Sequence, residues 1–163
     1  MTPRWPRVRD DRLLRRSSVA HADAVYVSHP NGPCPPEVSL TPAQCDLSGQ
    51  PLGGAPKRSW SLALGGEEPL PSLLALYWRV DYSRQSDFFA AVSNSRCARV
   101  DGYGPTNLSI GVRRNDRRWD LMLWTRNLLD EEFFQYIAGR TTGWIAGVPG
   151  EPRTAGVTFK GRF

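Results

Sequence analysis

Arg153-Thr-Ala-Gly-Val-Thr-Phe-Lys-Gly-Arg-Phe163 closes the chain, and its reading decides how the rest is read. Counting back from the terminus, Phe163, Gly161, Phe159, Val157 and Ala155 fall on one side. Arg162, Lys160, Thr158, Gly156 and Thr154 fall on the other. A period of two is the signature of a β-strand, here with one apolar face and one polar, cationic face. The segment also has about the length a strand needs to cross a bilayer at a steep tilt. A C-terminal edge strand of a soluble sandwich shows the same alternation, so the neighbouring segments have to decide.

The pattern recurs upstream. Leu74, Leu76, Trp78, Val80 and Tyr82 alternate with Ala75, Tyr77, Arg79, Asp81 and Ser83. A charged pair, Arg79 and Asp81, on one face and a wholly apolar opposite face suit a wet lumen and a lipid side. Trp60, Leu62 and Leu64 alternate with Ser59, Ser61 and Ala63, and Leu108, Ile110 and Val112 with Asn107, Ser109, Gly111 and Arg113. Trp119, Leu121 and Leu123 alternate with Asp120, Met122 and Trp124, a segment with large apolar groups on both faces. Ser18 to Ser28 is a weaker candidate strand. No stretch approaches the apolar run of a transmembrane helix. The spacing therefore predicts an all-β protein: an antiparallel up-and-down meander of about six strands, a partial transmembrane β-barrel.

Connection lengths test this independently. Gly65 to Pro71 and Arg114 to Arg117 read as short turns, whereas residues 29–57, 85–105 and 127–152 are long connections. Short and long alternate strictly, as in bacterial barrels with short periplasmic turns and long outer loops. The third long connection is also where a short helical piece is expected, because Asn127-Leu-Leu-Asp130 followed by Glu131 and Glu132 reads as a capped helix start.

These segments carry a family resemblance. Cys45-Asp-Leu-Ser-Gly-Gln-Pro-Leu52 followed by Ala55-Pro-Lys-Arg-Ser-Trp60 resembles the loop-to-strand passage near the end of TonB-dependent outer-membrane receptors. Arg79-Val-Asp-Tyr-Ser-Arg84, Asp101-Gly-Tyr-Gly104 and Asn107-Leu-Ser-Ile-Gly-Val112 resemble the next strands. Trp119-Asp-Leu-Met-Leu-Trp124 with Asn127-Leu-Leu-Asp130 resembles the penultimate strand, and Gly150 to Phe163 the closing one. Gly161 departs from the pattern, since the family usually places a bulky apolar residue there.

The resemblance implies the C-terminal barrel segment of a receptor for uptake of a scarce nutrient (a ferric siderophore, cobalamin or a carbohydrate) across the cell outer membrane, not transport-competent alone. It implies as partners outer-membrane lipid, the barrel-insertion machinery, the rest of the barrel and plug, and the TonB complex through N-terminal parts not seen here. Leu74, Leu76, Trp78, Leu108, Ile110, Val112, Val157 and Phe159 would face lipid. Arg79, Asp81, Arg113 and Lys160 would line the lumen, and Val157, Phe159 and Phe163 would form the C-terminal insertion signal. Trp60, Tyr82 and Trp119, near predicted strand ends, fit interfacial girdle positions. Glu131 to Tyr136 reads either as part of ligand capture at the outer mouth or as packing between loops. Cys34 and Cys45 flank a Pro-rich loop, where a disulfide would suit an oxidising compartment; their spacing fits no metal site. Cys97 is left over, with no base nearby in sequence to activate it.

The basic balance is concentrated at the N-terminus. Residues 1–16 hold six arginines against Asp10 and Asp11, a surplus of four out of a net charge of +5. Residues 1–17 read as a basic, non-native or disordered arm ahead of barrel sequence at 18–163. The arm lacks the apolar core of a signal peptide and any groove-reading motif, so no nucleic-acid partner is expected. No catalytic residue, metal site or cofactor is expected, because no nucleophile–base, phosphate-loop or metal-ligand motif occurs. The competing reading is a secreted soluble β-sandwich binding module, in which Leu74, Leu76, Trp78 and Val80 would be buried core.

Overall fold

Five of the six segments read from alternation are found as strands in the computed structural model, which describes residues 13–38, 44–139 and 144–162. Ten strands follow one another: β1 Leu13–His21, β2 Arg58–Leu70, β3 Leu74–Gln85, β4 Phe88–Phe89, β5 Arg99–Val100, β6 Thr106–Arg114, β7 Trp119–Arg126, β8 Phe134–Gly139, β9 Ile145–Pro149 and β10 Thr154–Gly161. Six of them form one antiparallel sheet in the order β1-β2-β3-β6-β7-β10. That is chain order once the small pairs β4–β5 and β8–β9, which belong to loops, are set aside. The protein is all-β, an up-and-down meander whose sheet is open, with β1 and β10 as its two edges. Phe163 and residues 1–12 of the basic arm lie outside the described residues.

Register carries the alternation across the whole sheet, because residues directly opposite in an antiparallel pair share a face. Leu64 pairs with Val80 and Val80 with Leu108. Trp78 pairs with Ile110, Ile110 with Leu123 and Leu123 with Val157. Leu76, Val112, Leu121 and Phe159 form the next apolar row. On the opposite face Ala75, Arg113, Asp120 and Lys160 make one row, and Glu67, Tyr77, Gly111, Met122 and Thr158 another. The uncertain facing of β7 is thereby settled: Leu121 and Leu123 join the apolar face, Met122 and Trp124 the polar one.

Three rings lie over glycines directly across from them: Trp78 over Gly66, Tyr77 over Gly111 and Trp124 over Gly156. A Cβ added to any of these glycines would come within 2.4 to 2.7 Å of the ring. Glycine at these positions makes room for the aromatic neighbour and lets the ring shield the backbone.

Three boundaries differ from the sequence reading. The first strand is Leu13–His21, not Ser18–Ser28; Val25 makes only an isolated bridge to Pro51. Arg15 and Arg16 therefore belong to the sheet, held by pairing with Leu64 and Ala63 rather than by their own strand propensity. Second, Gly65 to Leu70 continues β2, and the turn is Pro71-Ser72-Leu73, with positive φ at Ser72 and Leu73. Third, residues 127–152 hold the β8–β9 hairpin instead of a helical start; the one short 3-10 turn of the described residues is Arg96–Ala98, in the preceding loop.

The apolar face is not covered. Ile110, Leu121 and Leu123 are 43%, 42% and 53% exposed, and Val157 and Phe159 on β10 reach 66%. A sandwich needs a second sheet over Leu74, Leu76, Trp78 and Val80, yet those residues are only half-buried, and neither two-stranded pair is laid over them. Buried apolar residues lie mostly elsewhere: Cys34, Leu47, Ala90, Ala98 and Val100 are all in loops.

Candidate functional site

An even alternation of short and long connections gathers every long loop at one end of the sheet. These are residues 22–57, 86–105 and 127–153, while the turns at 71–73 and 115–118 close the other end. Trp60 and Tyr82 meet edge-to-face at 4.8 Å near the loop end, and Trp119 begins β7 at the turn end.

The first loop leaves the sheet as a ladder: Ala22 N–H donates to Lys57, Leu52 to Ala24 and Tyr26 to Gln50 at 2.9 to 3.0 Å. Further out, Gly32 and Cys45 exchange two backbone hydrogen bonds of 2.8 Å, and the sulfurs of Cys34 and Cys45 are bonded. Glu37 hangs from this segment and docks on the second loop. Its Oε1 accepts from the Ser95 hydroxyl at 2.7 Å and from the Cys97 N–H at 3.0 Å. Burial alone would raise the Glu37 carboxyl, but these donors outweigh it and hold the pKa down to about 2. Cys97 is an exposed free thiol whose pKa is pushed up, chiefly by its hydrogen bond with Glu37. A raised thiol is a poor nucleophile. Asn94 adds a second link between these loops, donating to the Pro51 carbonyl at 2.9 Å.

Asn127 organises the third loop. It is 2% exposed and has φ +47°, a conformation Asn tolerates better than most residues. Its Nδ2 donates to the carbonyls of Glu131 and Glu151, its Oδ1 accepts from Glu131 N–H, and its own N–H donates to Asn107 Oδ1. The side-chain amide thus ties both ends of the loop together, and the backbone N–H anchors them to Asn107 of β6. Asp130 braces the exit through an ion pair with Arg153 at 3.4 Å.

Between the second and third loops lies a cleft of about 800 Å³, lined by residues 99–103 from one side and 130–134, Ile137 and 149–152 from the other. Tyr103 and Phe133 stack at 4.0 Å across it, and Glu131 Oε2 accepts from Gly104 N–H at 3.1 Å. Burial pushes the Tyr103 phenol up, so it stays protonated. In the Glu131 to Phe134 segment, Glu131 and Phe133 pack one loop on the other, and the same residues line the cleft.

The four residues read as lumen lining all point to the polar face. Arg79 and Asp81 form a two-point ion pair with each other, at 2.6 and 2.7 Å. Arg113 pairs with Glu67 and lies 5.6 Å from the Tyr77 ring centre; the Tyr77 hydroxyl donates to Asp120 at 2.6 Å. Lys160 is opposite Asp120. Glu67, Tyr77 and Asp120 were missed as members of this network. Glu67 sits in a stretch whose composition reads as turn, and the other two show their role only through register. Among the described residues no three His, Cys, Asp or Glu side chains gather in a way that could hold a metal ion.

No family model matches the chain, and no curated protein sequence matches it. Among solved structures it is similar to the crystal structure of the ferric yersiniabactin uptake receptor FyuA from Yersinia pestis. The TM-score is 0.61, with 16% identity over 70% of this chain and 18% of that one. The chain therefore spans less than a fifth of that receptor's length. At this identity the likeness is one of fold: the six-stranded meander is a receptor-barrel-like sheet.

Proposed function

We propose that the chain is wall and outer-loop sequence of a TonB-dependent outer-membrane receptor, and that the intact receptor takes up a scarce nutrient. One observation carries this reading: one face of the sheet holds uncovered rows of leucine, isoleucine, valine and phenylalanine, while the other holds a hydrogen-bonded network of Glu67, Tyr77, Arg113 and Asp120. Water on both sides gives no reason to leave such apolar rows without a covering layer; lipid outside and water inside does. The gathering of the three long loops at one end, and the likeness to an uptake receptor, support the same assignment. In this reading the polar face lines the lumen, the loops lie outside the cell, and β1 and β10 continue into the rest of the barrel.

Vesicle flotation tests it. The full chain, refolded from denaturant in the presence of phosphatidylcholine vesicles, should float with them and resist extraction at high salt and high pH. Recovery as a soluble monomer without detergent would remove the barrel reading and restore the soluble binding module.

A further inference from the structure

The cleft between the second and third loops sets apolar rings beside carboxylates, and the inference drawn from it rests on the receptor reading above. Its volume of about 800 Å³ lies in the range of clefts that take compact organic ligands, roughly 300–1,000 Å³. Its walls combine apolar rings with carboxylates. Tyr103 and Phe133 form a stacked pair, Phe134 beside them is 49% exposed, and Pro149 and Pro152 complete an apolar lining.

The charges around these rings are unbalanced. Asp101, Asp130, Glu131, Glu132 and Glu151 face one cation, Arg99. That arginine is already paired with Asp87 at 2.8 Å. Asp130 and Glu151 are neutralised by Arg153 and Arg126. Glu131 accepts a backbone N–H, which does not cancel its charge. Asp101, Glu131 and Glu132 are left without a cationic partner among the described residues.

Ionised carboxylates only accept hydrogen bonds, so they recognise ligands rich in hydroxyl donors and repel ligands carrying negative charge. The stacked Tyr103–Phe133 pair turns two ring faces toward each other, and the half-exposed Phe134 beside it offers apolar ring surface to a ligand. We propose that this cleft takes an uncharged carbohydrate, its apolar ring surface against Phe134 and the edge of the Tyr103–Phe133 stack and its hydroxyls donating to Asp101, Glu131 and Glu132. Anionic iron chelates are rejected by the same carboxylates.

The test uses the full chain in a zwitterionic, sugar-free detergent. It is titrated with neutral trisaccharides (maltotriose, cellotriose, mannotriose, galactotriose) and with the counterpart of each oxidised at every C6 to a uronate. At low salt, at least one neutral sugar should bind at least about tenfold more tightly than its uronate counterpart. The double variant Asp101→Asn, Glu132→Gln should shrink that ratio to about threefold or less. Phe134→Ala should weaken the neutral sugar and its uronate alike, leaving their ratio in place. The inference is overturned if no neutral sugar binds, if a uronate binds as tightly as its parent, or if the double variant leaves the ratio unchanged. Flotation with vesicles is scored separately. A chain that floats but shows no such preference loses the carbohydrate inference and keeps the receptor reading.

Discussion

The sheet and the loop cluster solve opposite problems. In the sheet, leucines, isoleucine, valines and phenylalanine stay on an open face, while small residues such as Ala63 and Ala75 are buried beneath the polar network. In the loops, Leu47, Ala90, Ala98 and Val100 are buried, and Ser95 and Asn127 are buried with their hydrogen bonds satisfied. An ordinary soluble domain does the reverse, with core in the sheet and solvated loops. The contrast teaches that the loops carry their own stability and the sheet takes its stability from its surroundings.

A charge on the apolar face tests the sheet half of the comparison and should have the largest effect. Ile110→Arg places a guanidinium at the centre of that face. In vesicles it should cost about 2–4 kcal/mol, the penalty for a cation near a bilayer midplane. Urea titration of the membrane-inserted chain measures it. A loss within about 0.5 kcal/mol, as for an ordinary exposed site, would break the comparison.

The loop half rests on Asn127. Asn127→Ala removes two donors and an acceptor from buried carbonyl and N–H partners, and leaves alanine at a positive φ. A cost of about 2–3 kcal/mol is expected. Hydrogen exchange should show lost protection across residues 127–153, with β6 and β7 unchanged. Equal loss in the sheet would mean that the two regions are not independent.

The smallest effect concerns pH. Glu37 has its folded pKa held at about 2 against an ordinary 4.5, so its docking on Ser95 and Cys97 is fully stabilising above about pH 4.5. That contribution is lost as pH falls from there through about 2. Cross-protection of the first two loops, read by proteolysis with an acid-active protease, should fade over this window and become pH-independent in Glu37→Gln. Fading near neutral pH would assign the contact to another group.

The sheet was legible because alternation is local: five residues of β3 or β10 suffice to give both faces. Its errors fell where composition opposes structure. Gly65-Gly66-Glu67-Glu68-Pro69 reads as turn, yet Trp78 over Gly66 and Arg113 against Glu67 hold it as strand. Leu13 to Ser17 reads as the end of a charged arm until β2 is laid beside it. The loop cluster was largely illegible. Nothing near Glu37 in sequence announces Ser95, and Asn127 shows a capping pattern but not the Asn107 and Glu151 groups it bonds. Such contacts are made between segments far apart in the chain, and only the fold decides them.

The three rings seated over glycines have a consequence for assembly. An antiparallel pair that slips by two residues keeps every side chain on its proper face, so the apolar pattern alone does not oppose such an error. The rings do. Slipped by two, Trp78 would meet Leu64 or Glu68, Tyr77 would meet Ser109 or Arg113, and Trp124 would meet Thr154 or Thr158. Each of these carries a Cβ where the ring now lies. The pairings β2–β3, β3–β6 and β7–β10 are therefore keyed, one tooth each, while β1–β2 and β6–β7 have no such ring. A strand being threaded into a membrane from its neighbour's edge would stop sliding at the position where the ring finds its glycine.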